Sequence, residues 1–175
     1  MKKNLCILLM LFSTSAMAES PASVQLGELI NQRLSFMQDV AADKAVNHKP
    51  VEDLQQESRV LANSVSRAGE LGLDAESVKP FIQAQMDAAK AIQYRYRADW
   101  LAQPVTRAGR PSLTEVRETI GKLSESVLQQ TATLLKAGET PRRDLFLKQL
   151  QQTHLSEADK QHIWSALEKV RLAKP

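Results

Sequence analysis

The chain has 175 residues and a formal charge of +3, with 43% hydrophobic, 25% charged and only 5% aromatic residues. Two of the positive charges, Lys2 and Lys3, sit at the N-terminus and the other cations are interspersed with acids, so no nucleic-acid surface is indicated. The single cysteine, Cys6, excludes an internal disulfide, and no apolar run is long enough to span a membrane.

Lys2 and Lys3 precede the unbroken apolar run from Leu5 to Phe12, followed by Ser13, Thr14, Ser15 and the triplet Ala16-Met17-Ala18. A charged start, a short apolar stretch and a small-residue site form the anatomy of a secretory signal peptide. The expectation is a signal peptide over residues 1–18, cleaved after Ala18. Residues 19–175 then form one periplasmic or secreted domain, held by packing alone and without membrane attachment.

Glycine and proline are scarce beyond this point, and Ala, Leu, Gln, Glu, Lys and Arg dominate. With no period-2 run, the reading is an all-α bundle of about six helices. The first helix, over about residues 23–45, carries Leu26, Ile30, Arg33, Met37, Val40 and Lys44 at alternating spacings of four and three. That spacing traces one helix stripe. Four of its members are apolar and two are full cations, roughly 16 Å apart along one face. A cation facing a core is costly unless it is satisfied, so an anion is expected there.

Pro50 suits the start of a second helix running to Glu70, with Leu54, Leu61, Val65 and Ala68 inward and Leu71-Gly72 as its stop. Asp74 and Ser77 compete to cap a third helix; Ser77 places Pro80 in the first turn, where proline is tolerated. Its stripe is Ile82, Met86, Ala89, Gln93, Tyr96 and Trp100, and Tyr94 is expected in a core with the latter two. Residues 104–111 form a linker. A fourth helix over about 112–137 turns Leu113, Val116, Ile120, Leu123, Val127 and Leu134 inward and ends at Gly138. A short helix follows over 140–152. Ser156 with Asp159 resembles a capping box opening a last helix to about residue 173.

Four positions join Arg33 and Lys44 on or beside these stripes: Asp53, Glu57, Gln93 and Arg117. Three cations, two acids and an amide suit a small anionic ligand within a helical bundle. Plainer readings stand beside this one. Lys44 could snorkel to water, Arg33 could pair with Glu57 or Asp53, and Gln93 could serve a backbone carbonyl. His48, His154 and His162 lack metal-ligand spacing, and neither a nucleophile elbow nor a phosphate loop is present, so no metal and no cofactor is expected.

The run Asp87-Ala88-Ala89-Lys90-Ala91-Ile92-Gln93-Tyr94-Arg95-Tyr96, closing at Trp100, resembles the signature of the secreted all-α chorismate mutases. The upstream spacing agrees through Arg33, Lys44, Pro50-Val51-Glu52-Asp53 and Glu57, as does Leu113 with Arg117 downstream. The resemblance implies rearrangement of chorismate to prephenate, a [3,3] shift of a dianion that needs no cofactor. It implies that Arg33 and Arg117 bind carboxylates, that Lys44 reaches a carboxylate and the ether oxygen, and that Gln93 donates to that same oxygen. Glu57, with Asp53 nearby, would accept from the substrate hydroxyl. A homodimer with one site per subunit is also implied.

Two positions depart from the family pattern. Gln56 stands where an arginine is expected, and Ala89 where a serine or threonine would approach the ether oxygen. Arg59, one turn beyond Gln56, is a candidate replacement. The rival reading is an exported helical protein that binds a small dicarboxylate with little or no catalysis.

Overall fold

The computed structural model describes residues 21–106 and 108–174. The expected signal peptide, residues 1–18, lies outside them. Seven helices are present among the described residues: α1 (Pro21–Ser35), α2 (Met37–Val46), α3 (Leu54–Glu70), α4 (Ala75–Asp99), α5 (Leu113–Lys136), α6 (Arg143–Gln149) and α7 (Glu157–Leu167). The extra helix relative to the expected six comes from a one-residue break at Phe36. That residue keeps helical dihedrals, and Val40 N–H still bonds to its carbonyl, so the stripe runs straight across the break.

Leu26, Ile30, Arg33, Met37, Val40 and Lys44 are all buried, the two cations being only 6% and 7% exposed. This stripe packs α1 against α5 and α6, and α2 against α4. Gly27 makes the α1–α6 approach possible, because a Cβ there would stand 2.7 Å from the Phe146 carbonyl oxygen. The core gathers Leu26, Ile30, Leu34, Phe81, Ile92, Phe146, Ile163 and Leu167. In outline, α3 packs on α4 and α5, while α7 packs on α4.

Four local expectations are corrected. The second helix does not start at Pro50. Chain direction reverses after α2, with His48 at a positive φ of 52°, and α3 begins at Leu54 under an Asp53 cap. Val51 in the connecting loop takes the buried place, leaving Leu54 75% exposed instead of inward.

Asp74, not Ser77, caps α4: its Oδ1 accepts from Ser77 N–H at 2.9 Å, and Pro80 sits inside the helix. The reason is non-local. Residues 171–173 run alongside the start of α4, Asp74 N–H bonding to Arg171 O and Ala173 N–H to Gly72 O, both at 2.9 Å. An Arg171–Asp74 ion pair at 3.1 Å joins them. These contacts hold Asp74 in place against the one helical bond that Pro80 removes. They also explain why the last helix stops at Leu167 instead of residue 173: the tail is extended, and Leu172 bridges Leu73. The Ser156–Asp159 capping box is present as expected. Among the described residues, no helix is long and apolar enough to cross a membrane.

Candidate active site

Five helices and the α2–α3 loop enclose a cavity of about 130 Å³. Apart from Arg59, its lining contains every site position singled out from the sequence: Arg33 from α1, Lys44 from α2, Asp53, Gln56 and Glu57 around the start of α3, Ala89 and Gln93 from α4, and Arg117 from α5. Met37, Val40, Val51, Val60, Met86 and Ile120 supply apolar walls. A second hollow of about 380 Å³ adjoins it between α3 and α5, sharing Arg33, Gln56, Val60, Arg117 and Ile120.

Arg33 has no carboxylate partner among the described residues. Its Nε donates to Ser124 Oγ at 3.0 Å and its Nη1 to the Gln85 carbonyl at 3.5 Å. The ion pair with Glu57 or Asp53 that the sequence left open is therefore not formed. Burial lowers its pKa from the usual arginine range to about 10, which keeps the guanidinium charged at neutral pH. A buried cation bonded only to neutral acceptors retains most of its capacity to attract an anion.

Lys44 does not snorkel to solvent. Its Nζ donates to the Val51 carbonyl, the loop residue whose buried side chain anchors that turn. Burial lowers its pKa; Asp53 acts the other way, Arg117 adds to the lowering, and Glu57 and Glu52 oppose it.

The two acids are occupied elsewhere. Asp53 Oδ1 caps α3 through Gln56 N–H at 3.1 Å, and its Oδ2 stands 3.5 Å from Arg117 Nη2. Glu57 Oε1 accepts from Asp53 N–H at 3.2 Å, and its Oε2 pairs with Lys90 at 2.9 Å. Gln56 Oε1 accepts from Arg59 Nη2 at 2.8 Å. Arg59 itself lies on the exposed face and is not part of the cavity wall.

Gln93 is buried. Its Nε2 donates to Ala89 O at 3.1 Å and lies 3.7 Å from Met37 Sδ, so it does serve a backbone carbonyl. Its Oε1 is the one buried side-chain polar atom without a hydrogen-bond partner among the described residues. Such an atom is costly in an apolar setting and is characteristic of a place that a ligand completes.

Sequence reasoning passed over Lys90, Val51 and Ser124. Ser124 lies seven residues after Arg117, two helical turns along the same face, and that spacing could have flagged it. The aromatic expectation also needs correction. Tyr94 is 47% exposed and bonds to Glu52, whereas Tyr96 stacks on Trp100 at 5.5 Å and meets His154 edge-on at 4.5 Å.

The chorismate mutase type II family model matches residues 23–94. A secreted chorismate mutase of Yersinia pestis is 43% identical over 164 residues, covering 92% of this chain and 88% of that protein. A monofunctional chorismate mutase of Enterobacter agglomerans is 38% identical over 163 residues, covering 90% of each. The crystal structure of the secreted chorismate mutase from Yersinia pestis superposes with a TM-score of 0.80 at 45% identity, covering 85% of this chain and 98% of that one.

Proposed function

The chain belongs to the chorismate mutase type II family and carries that family's activity, and we propose that the cavity between α1, α2, α3, α4 and α5 is where chorismate rearranges to prephenate. The reaction is an intramolecular [3,3] shift of a flexible dianion. It asks for no nucleophile, but it does ask that the substrate be held compact and that charge growing on the ether oxygen be met. Arg33 and Arg117 are suited to the two carboxylates, and Lys44 can reach a carboxylate and the ether oxygen. Gln93 has two amide hydrogens: one bonds Ala89 O, and the other, which meets only Met37 Sδ at 3.7 Å, is the one to donate to that oxygen. Glu57, with Asp53 behind it, accepts from the substrate hydroxyl. Gln56 contributes a neutral hydrogen bond, and Ala89 only its methyl.

The observation that carries this reading is Arg33: a buried guanidinium oriented by neutral acceptors at the wall of a cavity that also holds Lys44 and Gln93. The test is a direct assay of purified residues 19–175 for chorismate loss and prephenate formation, with Lys44→Ala alongside. The substitution should lower kcat/KM by about a hundredfold or more, the scale of a lost charge-stabilising donor, while the thermal midpoint moves little. Activity that falls only as the folded fraction falls would return Lys44 to a structural role.

Relatives are named as secreted proteins. The proposal for this chain is export through the 1–18 signal peptide, read out by a mature N-terminus at Glu19. A homodimer with one site per subunit is part of the same reading.

A further inference from the structure

Lys90 lines the same cavity as Arg33, Lys44 and Gln93, yet its side chain is turned to two acids. Its Nζ stands 2.9 Å from Glu57 Oε2 across the α3–α4 contact and 3.3 Å from Asp87 Oδ1 one turn back on α4. The Glu57–Lys90 pair is mostly shielded, the two side chains being 21% and 24% exposed. Glu57's other oxygen accepts the Asp53 backbone N–H. The carboxylate is thus gripped on both oxygens, by groups from two different elements.

We propose that Lys90 is a positioning residue of this active site, holding Glu57 ready for the substrate hydroxyl and away from the cations that must receive the substrate carboxylates. A glutamate has three rotatable bonds, and Glu57 is close enough to Lys44 to act on its protonation. Released, it would turn toward Lys44 and neutralise the charge the dianion needs. Gripped by Lys90 and the Asp53 N–H, it keeps a fixed direction. A carboxylate offers about four lone-pair sites, so two remain for a substrate hydroxyl. The Lys90 ammonium is well suited to this task. Burial works against its charge, but the bonds to Glu57 and Asp87 together raise its pKa above the usual lysine range. The role matters more in this chain because Gln56 brings no charge, leaving Arg33, Lys44 and Arg117 as the cations available to the substrate.

This inference rests on the assignment of the cavity to chorismate, and a double-mutant cycle separates the two. Lys90→Met should lower kcat/KM about tenfold or more, chiefly through KM, with helical content and thermal midpoint near those of the parent. Lys90→Arg should restore most of the loss, since it keeps the charge and the reach. In a Glu57→Gln background, Lys90→Met should change kcat/KM less than twofold, because there is no carboxylate left to hold. An equal loss in both backgrounds would overturn the proposal and make Lys90 a structural ion pair, and so would no loss in the parent. Unchanged activity for Glu57→Gln alone would instead remove Glu57 from the reaction, and the proposal with it. Failure of the cavity assignment is read separately, from unchanged activity in Lys44→Ala.

Discussion

Replacing Arg33 by methionine should separate function from stability in opposite directions. The side chain is buried at the cavity wall, and burial lowers its pKa from the usual arginine range to about 10. A lowered value for a cation means that the folded state disfavours the charged form, and at about 1.4 kcal/mol per unit this costs on the order of 3 kcal/mol at neutral pH. Methionine removes that cost. Against it stand two hydrogen bonds to neutral acceptors, one of them long at 3.5 Å, together worth about 1–2 kcal/mol. Ser124 Oγ keeps its own bond to the Ile120 carbonyl at 2.8 Å, so no buried hydroxyl is orphaned. The smaller side chain adds about 1 kcal/mol of packing loss. The net expectation is a protein as stable as the parent or more stable by about 1 kcal/mol, a rise of about 2–4 °C in thermal midpoint.

Activity should move the other way. A bidentate guanidinium–carboxylate contact is worth about 3–5 kcal/mol, so kcat/KM should fall by about two to four orders of magnitude. Urea unfolding followed by circular dichroism, run beside initial rates of chorismate loss, measures both. Arg33→Met destabilised by 2 kcal/mol or more, with rates falling only in step with the folded fraction, would refute this account and make Arg33 a structural residue.

Two further outcomes follow from the same site. Because Lys44 has a lowered pKa through burial, kcat/KM should decline on the alkaline side before an ordinary lysine would titrate, and Lys44→Arg should remove that decline. Over the same window the unfolded chain keeps the Lys44 proton that the folded one gives up, so this residue's contribution to stability rises with pH. Lys90 and Tyr94, both raised by their carboxylate partners, act the other way. The stability difference between parent and Lys44→Arg isolates the lysine, and a difference that fell with rising pH would refute the reading. Gln56→Arg should raise kcat/KM by about tenfold, by adding a charged contact worth about 1.5–3 kcal/mol less the repulsion from Arg33 and Arg117. A folded but slower Gln56→Arg would show that the site is organised around the neutral side chain and its bond to Arg59.

The parts of the molecule that could be read from the sequence are those set by short-range periodicity. The stripe from Leu26 to Lys44 repeats so regularly that a one-residue break at Phe36 does not disturb it. The Ser156–Asp159 box is equally local. The rotation of α3 was harder, because the helix is largely polar and its first apolar residue, Leu54, is displaced from the core by Val51 in the preceding loop. The cap of α4 was decided nearly a hundred residues away, by the strand-like tail at 171–173. Lys90 escaped notice because it follows Ala89 directly, about 100° around the helix from the stripe, and a charge there reads as a solvated flank.

Which carboxylate neutralises which cation is where periodicity stops being informative, and this is what decides the chemistry of the site. Arg33, Lys44, Arg117 and Lys90 all line one cavity with Asp53 and Glu57, and the sequence allows several pairings among them. The fold gives Glu57 to Lys90 and Asp53 to the α3 backbone and, loosely, to Arg117. Arg33 and Lys44 are left with a hydroxyl and carbonyls. Neutral acceptors orient a cation without cancelling its field, so the attraction for a dianion is kept at the expense of stability in the free protein. The same arrangement accounts for the lowered pKa values of Arg33 and Lys44, the opposed effects of Arg33→Met, and the need for a lysine that keeps Glu57 from closing the pair itself.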